Sequence, residues 1–116
     1  MRLWLVVGGL LLSASSAWAA SNSLNWTDNS TNEATFSIER KAEACSGTAL
    51  PFAEIATVPL NVTTFKDTAV VEGGTYCYRV AAVNTAGKSP FSNVAGATIP
   101  FTIPAAPSGL GVTTGP

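Results

Sequence analysis

The sequence contains no histidine. That removes the side chain that most often serves as general base and as metal ligand. A Ser–His–Asp arrangement is therefore excluded. Charged residues make up only 11% of the 116 positions, and they form no basic patch and no charge run. Nucleic-acid binding and attachment to an anionic membrane surface lose their usual basis. Cysteine is scarce too, with Cys45 and Cys77 alone. Two isolated thiols without histidine make a poor metal site, whereas an even count in an oxidising compartment favours a bridge. No Gly-rich phosphate loop is present, and Gly73-Gly74 reads as a hairpin turn. Glu39, Glu43, Glu54, Asp67 and Glu72 are scattered over strands and turns, with no pair placed across a cleft. Each reads as solvated surface. The sequence therefore points to no catalytic, cofactor-binding or metal-binding residue.

The chain opens with a leader. Met1-Arg2 gives a minimal positive start, Leu3 to Leu12 is an apolar run, and Ala17-Trp18-Ala19 offers small residues at the positions a signal peptidase reads. The run is well short of the ~20 residues that span a bilayer. Residues 1–19 are thus expected to be a signal peptide, with a secreted or extracellular product, or a periplasmic one in a bacterium. Loss of Arg2 leaves five cationic residues against seven acidic ones, a net charge of about −2. No membrane attachment is expected after cleavage.

What remains is β-like. Short runs rich in Thr, Val, Ile, Phe and Tyr alternate with Gly, Pro, Asn and Asp clusters, the pattern of an all-β sandwich or barrel. Strands are expected at Ser23–Trp26, Ala34–Lys41, Phe52–Val58, Thr63–Val71, Thr75–Asn84 and Ser92–Ile99. The strongest is Thr75–Asn84, with Tyr76, Tyr78, Val80 and Ala82 on one face and Cys77, Arg79 and Ala81 on the other. Thr85-Ala86-Gly87-Lys88 reads as a turn. From Pro100 the composition shifts to Pro, Gly, Ala and Thr, as in a linker. The expected organisation is a domain over 20–100 and a linker, or the start of a next module, over 101–116.

The spacing of these runs resembles a fibronectin type III domain over about residues 23 to 99. Trp26 stands where that family places the tryptophan of strand B. Phe36 and Ile38 match the inward pair of strand C. Val70, Gly73 and Tyr76 fit the Leu–Gly–Tyr spacing before strand F, and Tyr76 to Asn84 looks like strand F. The resemblance is greatest to modules of bacterial secreted proteins. It implies an immunoglobulin-like sandwich of two antiparallel sheets with a core of Trp26, Phe36, Ile38, Phe65, Tyr76, Tyr78 and Val80. Tyr76 would be the tyrosine corner, its hydroxyl bonded to nearby backbone. Because strand C lies antiparallel beside strand F in this family, Cys45 and Cys77 are expected to bridge, pinning the loop after strand C to the outer face of the sheet.

One departure stands out. The family's strand A is missing, because Trp26 follows the leader almost at once. Residues 104–114, with Leu110 and Val112 as an inward pair, look like a strand A at the wrong end. They are either a flexible tail or fragment, or a strand donated to the open edge beside strand B.

Other features carry weaker signals. Asp28, Ser30, Asn32 and Glu39 fall at oxygen-ligand positions of a calcium loop, but Glu33 occupies the place that requires Gly, so an Asx-rich loop is the better reading. Asn29 and Asn61 would accept glycans in a eukaryotic secretory pathway. Gly87, Lys88, Pro90 and Phe91 form a candidate interaction loop, without the Arg-Gly-Asp tripeptide of some family members. Glu39 and Arg79 are expected to pair on an exposed face. The function implied is a non-catalytic extracellular module, a spacer, adhesion or protein-interaction unit with an unidentified protein or glycan partner. The alternative is a carbohydrate-binding or accessory module of a secreted polysaccharide-degrading enzyme.

Overall fold

The computed structural model describes residues 19–116. The expected signal peptide lies outside them, apart from Ala19. Seven strands are present among the described residues: β1 (Asn22–Asn25), β2 (Thr35–Lys41), β3 (Ala53–Pro59), β4 (Thr64–Asp67), β5 (Thr75–Asn84), β6 (Gly87–Lys88) and β7 (Ala95–Thr98). They make two antiparallel sheets. One is the pair β1–β4; the other runs β3-β2-β5-β6, with β7 also on β5. Of the sandwich or barrel that the alternation allows, the two-sheet sandwich that the resemblance implies is formed.

The inner faces meet in a core of Phe36, Ile38, Val70, Tyr76, Tyr78, Val80 and Ile99. Trp26 and Phe65 are half-buried against it. Trp26 lies just past the end of β1 and meets Phe36 edge-on at 5.6 Å between ring centroids. Tyr76 is buried, and its hydroxyl oxygen accepts from the Val71 amide at 3.0 Å. This bond ties the turn before β5 to the strand itself.

Three boundaries differ from the sequence reading, one of them that of the last strand, expected over Ser92–Ile99 but formed only over Ala95–Thr98. Thr63–Val71 was expected to be extended throughout, but β4 stops at Asp67. There the carboxylate accepts the Ala69 amide two residues on, an Asx turn that diverts the chain. The turn expected over Thr85–Lys88 is instead a hairpin closing with the short strand β6. Pro90 has no N–H to give and breaks this edge of the sheet into β6 and β7. Ser89 and Ser92 bridge the gap. Each amide donates to a β5 carbonyl, and each hydroxyl accepts from a β5 amide, Ala82 for Ser89 and Val80 for Ser92. No backbone group of β5 is stranded by the proline there.

The expectation that Asp67 and Glu39 are surface carboxylates is overturned. Asp67 is only 3% exposed. Its Oδ2 accepts from the Tyr78 hydroxyl at 2.7 Å and from Arg40 Nη1 at 2.9 Å, and Asn22 in turn donates to the Tyr78 oxygen at 2.9 Å. This network joins β1 and β4 of one sheet to β2 and β5 of the other. Burial pushes the Asp67 carboxyl up, but the bonds from Tyr78, Arg40 and the Ala69 amide outweigh it and hold the group below 3.8. The same burial, helped by the carboxylate, raises Tyr78 to about 12.

Candidate interaction surfaces

Three regions could meet a partner: the outer face of the larger sheet, the disulfide-bonded loop, and a groove beside β1.

On the outer face, Glu39 and Arg79 sit directly opposite each other across β2 and β5. Glu39 Oε1 meets Arg79 Nη2 at 2.7 Å, and Glu39 Oε2 meets Lys88 Nζ at 3.1 Å. The pair forms as expected but not as an exposed one, since Glu39 is only 7% exposed. The cause is aromatic cover. The Arg79 guanidinium lies over Phe52 at 4.1 Å and over Phe91 at 3.7 Å, held between the two rings. Desolvation pushes Glu39 up, yet bonds from Arg79 and Lys88 win and keep its carboxyl below 4.5. Phe52 was read only as the start of a weak strand. Its role has no local signal, because its partner lies 27 positions away in sequence.

The candidate loop of Gly87, Lys88, Pro90 and Phe91 does not stand clear of the sheet. Gly87 and Lys88 form β6, Lys88 reaches Glu39, and Phe91 folds back over Arg79. Pro90 is exposed. The loop and the outer face are thus one surface, a row Lys41–Phe52–Arg79–Phe91–Lys88 of alternating cations and rings.

Cys45 and Cys77 are bonded, with Cα atoms 5.0 Å apart. Cys77 stands on the outer side of β5 as expected, yet it is fully buried. Cys45 covers it, and across β5 lies Gly96, where a Cβ would come 3.2 Å from Cys45 Sγ. Lys41 holds the same loop from within. Its buried ammonium donates to Glu43 and to the Cys45 and Gly47 carbonyls. Asp28 forms the expected Asx turn, accepting the Ser30 amide at 3.0 Å. Glu33, next in that loop, accepts from Ser30 and from the Asn61 amide and is tied into the fold.

The third region is a groove of about 720 Å³ between β1 and the stretch leading into β7. Leu24 and Trp26 from the β1 side and Tyr78, Val80, Ser92 and Ala95 from the side of the other sheet line it. Among the described residues β1 pairs along one edge only, with β4. Trp26 donates its amide to Thr63, on the β4 side. By the alternation of an antiparallel ladder, the amides and carbonyls of Ser23 and Asn25 face the open edge. The Trp26 indole N–H is buried with no acceptor among the described residues.

No family model matches the sequence. Over 76 residues the chain is 40% identical to an amylopullulanase of Thermoanaerobacter thermohydrosulfuricus, a match covering 65% of this chain and 5% of the length of that enzyme. Among solved structures, a fibronectin type III domain of human fibronectin type III domain containing protein 3 superposes with a TM-score of 0.57 at 22% identity, covering 75% of this chain and 80% of that one. Pectate lyase PelI from Erwinia chrysanthemi, solved in complex with tetragalacturonic acid, matches at 25% identity and a TM-score of 0.56, over 71% of this chain and 26% of that one. The strand order, the tyrosine bonded back to the preceding turn and these superpositions agree: the chain resembles fibronectin type III domains and has their fold.

Proposed function

We propose that the chain is a non-catalytic extracellular module, a spacer or protein-interaction unit of the kind attached to secreted polysaccharide-degrading proteins. The Arg79 sandwich carries this reading. Sugar stacking needs a bare ring face; Phe52 and Phe91 each give one face to the Arg79 guanidinium, which leaves a sugar chiefly the outer face of Phe91, 38% exposed, rather than a platform of two open rings. The carboxylates nearest that surface are likewise engaged within the fold, Glu39 with Arg79 and Lys88, and Glu43 with Lys41. The disulfide suits an oxidising, extracellular setting. The alternative, a glycan-binding accessory, is favoured by the kinship to an amylopullulanase segment. Affinity electrophoresis through gels containing pullulan, starch or polygalacturonate separates the two. Unretarded migration is expected. Retardation by one of these glycans that disappears in Phe91→Ala would establish the alternative.

A further inference from the structure

We propose that the groove beside β1 is a strand-acceptor site, and that its occupant is the segment 104–114 of a second copy of this chain. The proposal does not depend on whether the outer face binds glycan.

The acceptor side has three matching features. Among the described residues β1 leaves one edge unpaired, with the backbone groups of Ser23 and Asn25 turned toward the groove. Leu24, Trp26 and Val80 give it an apolar wall. Trp26 also brings a buried indole N–H that lacks an acceptor. A strand laid along β1 would carry backbone carbonyls to that wall and apolar side chains onto it.

The donor side is complementary. From Pro100 to Pro116 the chain carries no ionisable side chain, so docking would desolvate no charge of its own. The segment enters no strand, and Leu110 and Val112 are 96% and 88% exposed. They are two positions apart, so in an extended chain they fall on one face while Gly111 and Thr113 face out.

For a strand antiparallel to β1, geometry favours a second molecule over the chain's own tail. The tail is fixed where it leaves the sandwich. The ring of Phe101 packs onto Gly73, whose φ of +77° suits glycine, so closely that a Cβ there would collide with it. The Thr102 amide and hydroxyl both bond Glu72 Oε1, at 2.7 and 3.0 Å. This anchor lies beside the start of β5. A strand antiparallel to β1 must begin at the other pole, near Trp26, which packs on Phe36 opposite Ala82. The distance from Thr75 to Ala82 along β5 is on the order of 23 Å. Residues 103–109 would be used up reaching it, leaving no chain for the reversal. A second copy faces no such limit, and two copies can exchange tails reciprocally.

The test uses the full mature chain. Sedimentation velocity over a concentration series should show a dimer that grows with concentration. The variant carrying Leu110→Asp and Val112→Asp should stay monomeric, and since these side chains touch nothing in the monomer, its thermal unfolding should match that of the wild type at concentrations where the wild type is monomeric and fall below it where the wild type dimerises. Adding a synthetic peptide of residues 104–114 to the ¹⁵N-labelled double variant should move the amides of Ser23 and Asn25 and the Trp26 indole resonance. A wild-type chain that is monomeric throughout, with a peptide that moves none of these signals, would overturn the proposal. So would a monomeric wild type whose Trp26 indole signal differs from that of the double variant, which would place the tail in its own groove. Dimerisation unaffected by the double substitution would refute it as well.

Discussion

The Tyr78 hydroxyl donates to Asp67 Oδ2 at 2.7 Å inside the sandwich, on strands that belong to different sheets. Asp67 also holds Arg40, and Tyr78 also accepts from Asn22. One buried carboxylate thus fixes how the sheets lie on each other. Asp67→Ala would leave the buried Tyr78 hydroxyl without its acceptor and the Arg40 guanidinium without its counter-charge, with the Ala69 carbonyl still to bond. It should cost about 3 kcal/mol by urea denaturation, and Tyr78→Phe should cost about 1–2 kcal/mol. An effect of Asp67→Ala no larger than an ordinary surface substitution would remove this account.

The same network makes stability depend on acid. Asp67 and Glu39 have carboxyls held below 3.8 and 4.5 respectively in the folded chain. For a depressed carboxyl the unfolded chain takes up the proton first, so stability falls as pH falls. The contribution is complete above those values and is lost as pH drops below them through the lower folded-state values. Denaturation midpoints measured from neutral to strongly acidic pH should decline in that window. The decline should be shallower in Asp67→Asn.

At alkaline pH the sign reverses. Tyr78 is raised to about 12 from an ordinary 10.0, because burial opposes the phenolate. Stability from this group is intact below 10.0 and is lost as pH rises from there through about 12. The NMR chemical shift of the Tyr78 ring should stay that of the phenol at pH 11, and the folded protein should begin to unfold above it. A phenolate signal from folded Tyr78 at pH 10 would contradict this.

Arg79 is held by both charge and stacking. Arg79→Lys keeps the charge and loses the flat guanidinium between Phe52 and Phe91. It should cost about 1 kcal/mol. A double-mutant cycle with Glu39→Gln should give a coupling of about 1–2 kcal/mol, above that of an exposed pair. Equal stability of Arg79→Lys and wild type would show that stacking adds nothing.

Removing the Cys45–Cys77 bond by Cys77→Ser with Cys45→Ser should cost about 2–5 kcal/mol. The bond closes a loop with a sequence separation of 32. The loss should come with freer exchange of amides in residues 42–50, where Lys41 alone would then hold the loop. Gly96→Val should also destabilise, because a side chain there meets Cys45 Sγ.

Alternation along brief extended runs was enough to determine an all-β fold, because a strand's period of two assigns each residue to core or solvent without reference to the rest of the chain, and the family resemblance selected the sandwich. Phe36, Ile38, Tyr76, Tyr78 and Val80 are legible in that way, and the β1, β2, β3 and β5 segments follow from it within a residue or two. The tie between Cys45 and Cys77 followed from the strand arrangement that the family resemblance implies, together with an oxidising setting. What required the tertiary structure were pairings between distant positions. Asp67 meets Tyr78 and Arg40, and Phe52 and Phe91 close on Arg79. A carboxylate's own sequence neighbours do not say whether its charge will find partners inside, so Asp67 and Glu39 looked like surface. The open groove beside β1 is likewise a property of two sheet edges brought face to face. Sequence placed a strand-like segment at the far end of the chain and an open edge beside Trp26; the packing of the sheets decided that this edge gives onto an apolar groove, because the groove's wall is built from residues of both sheets.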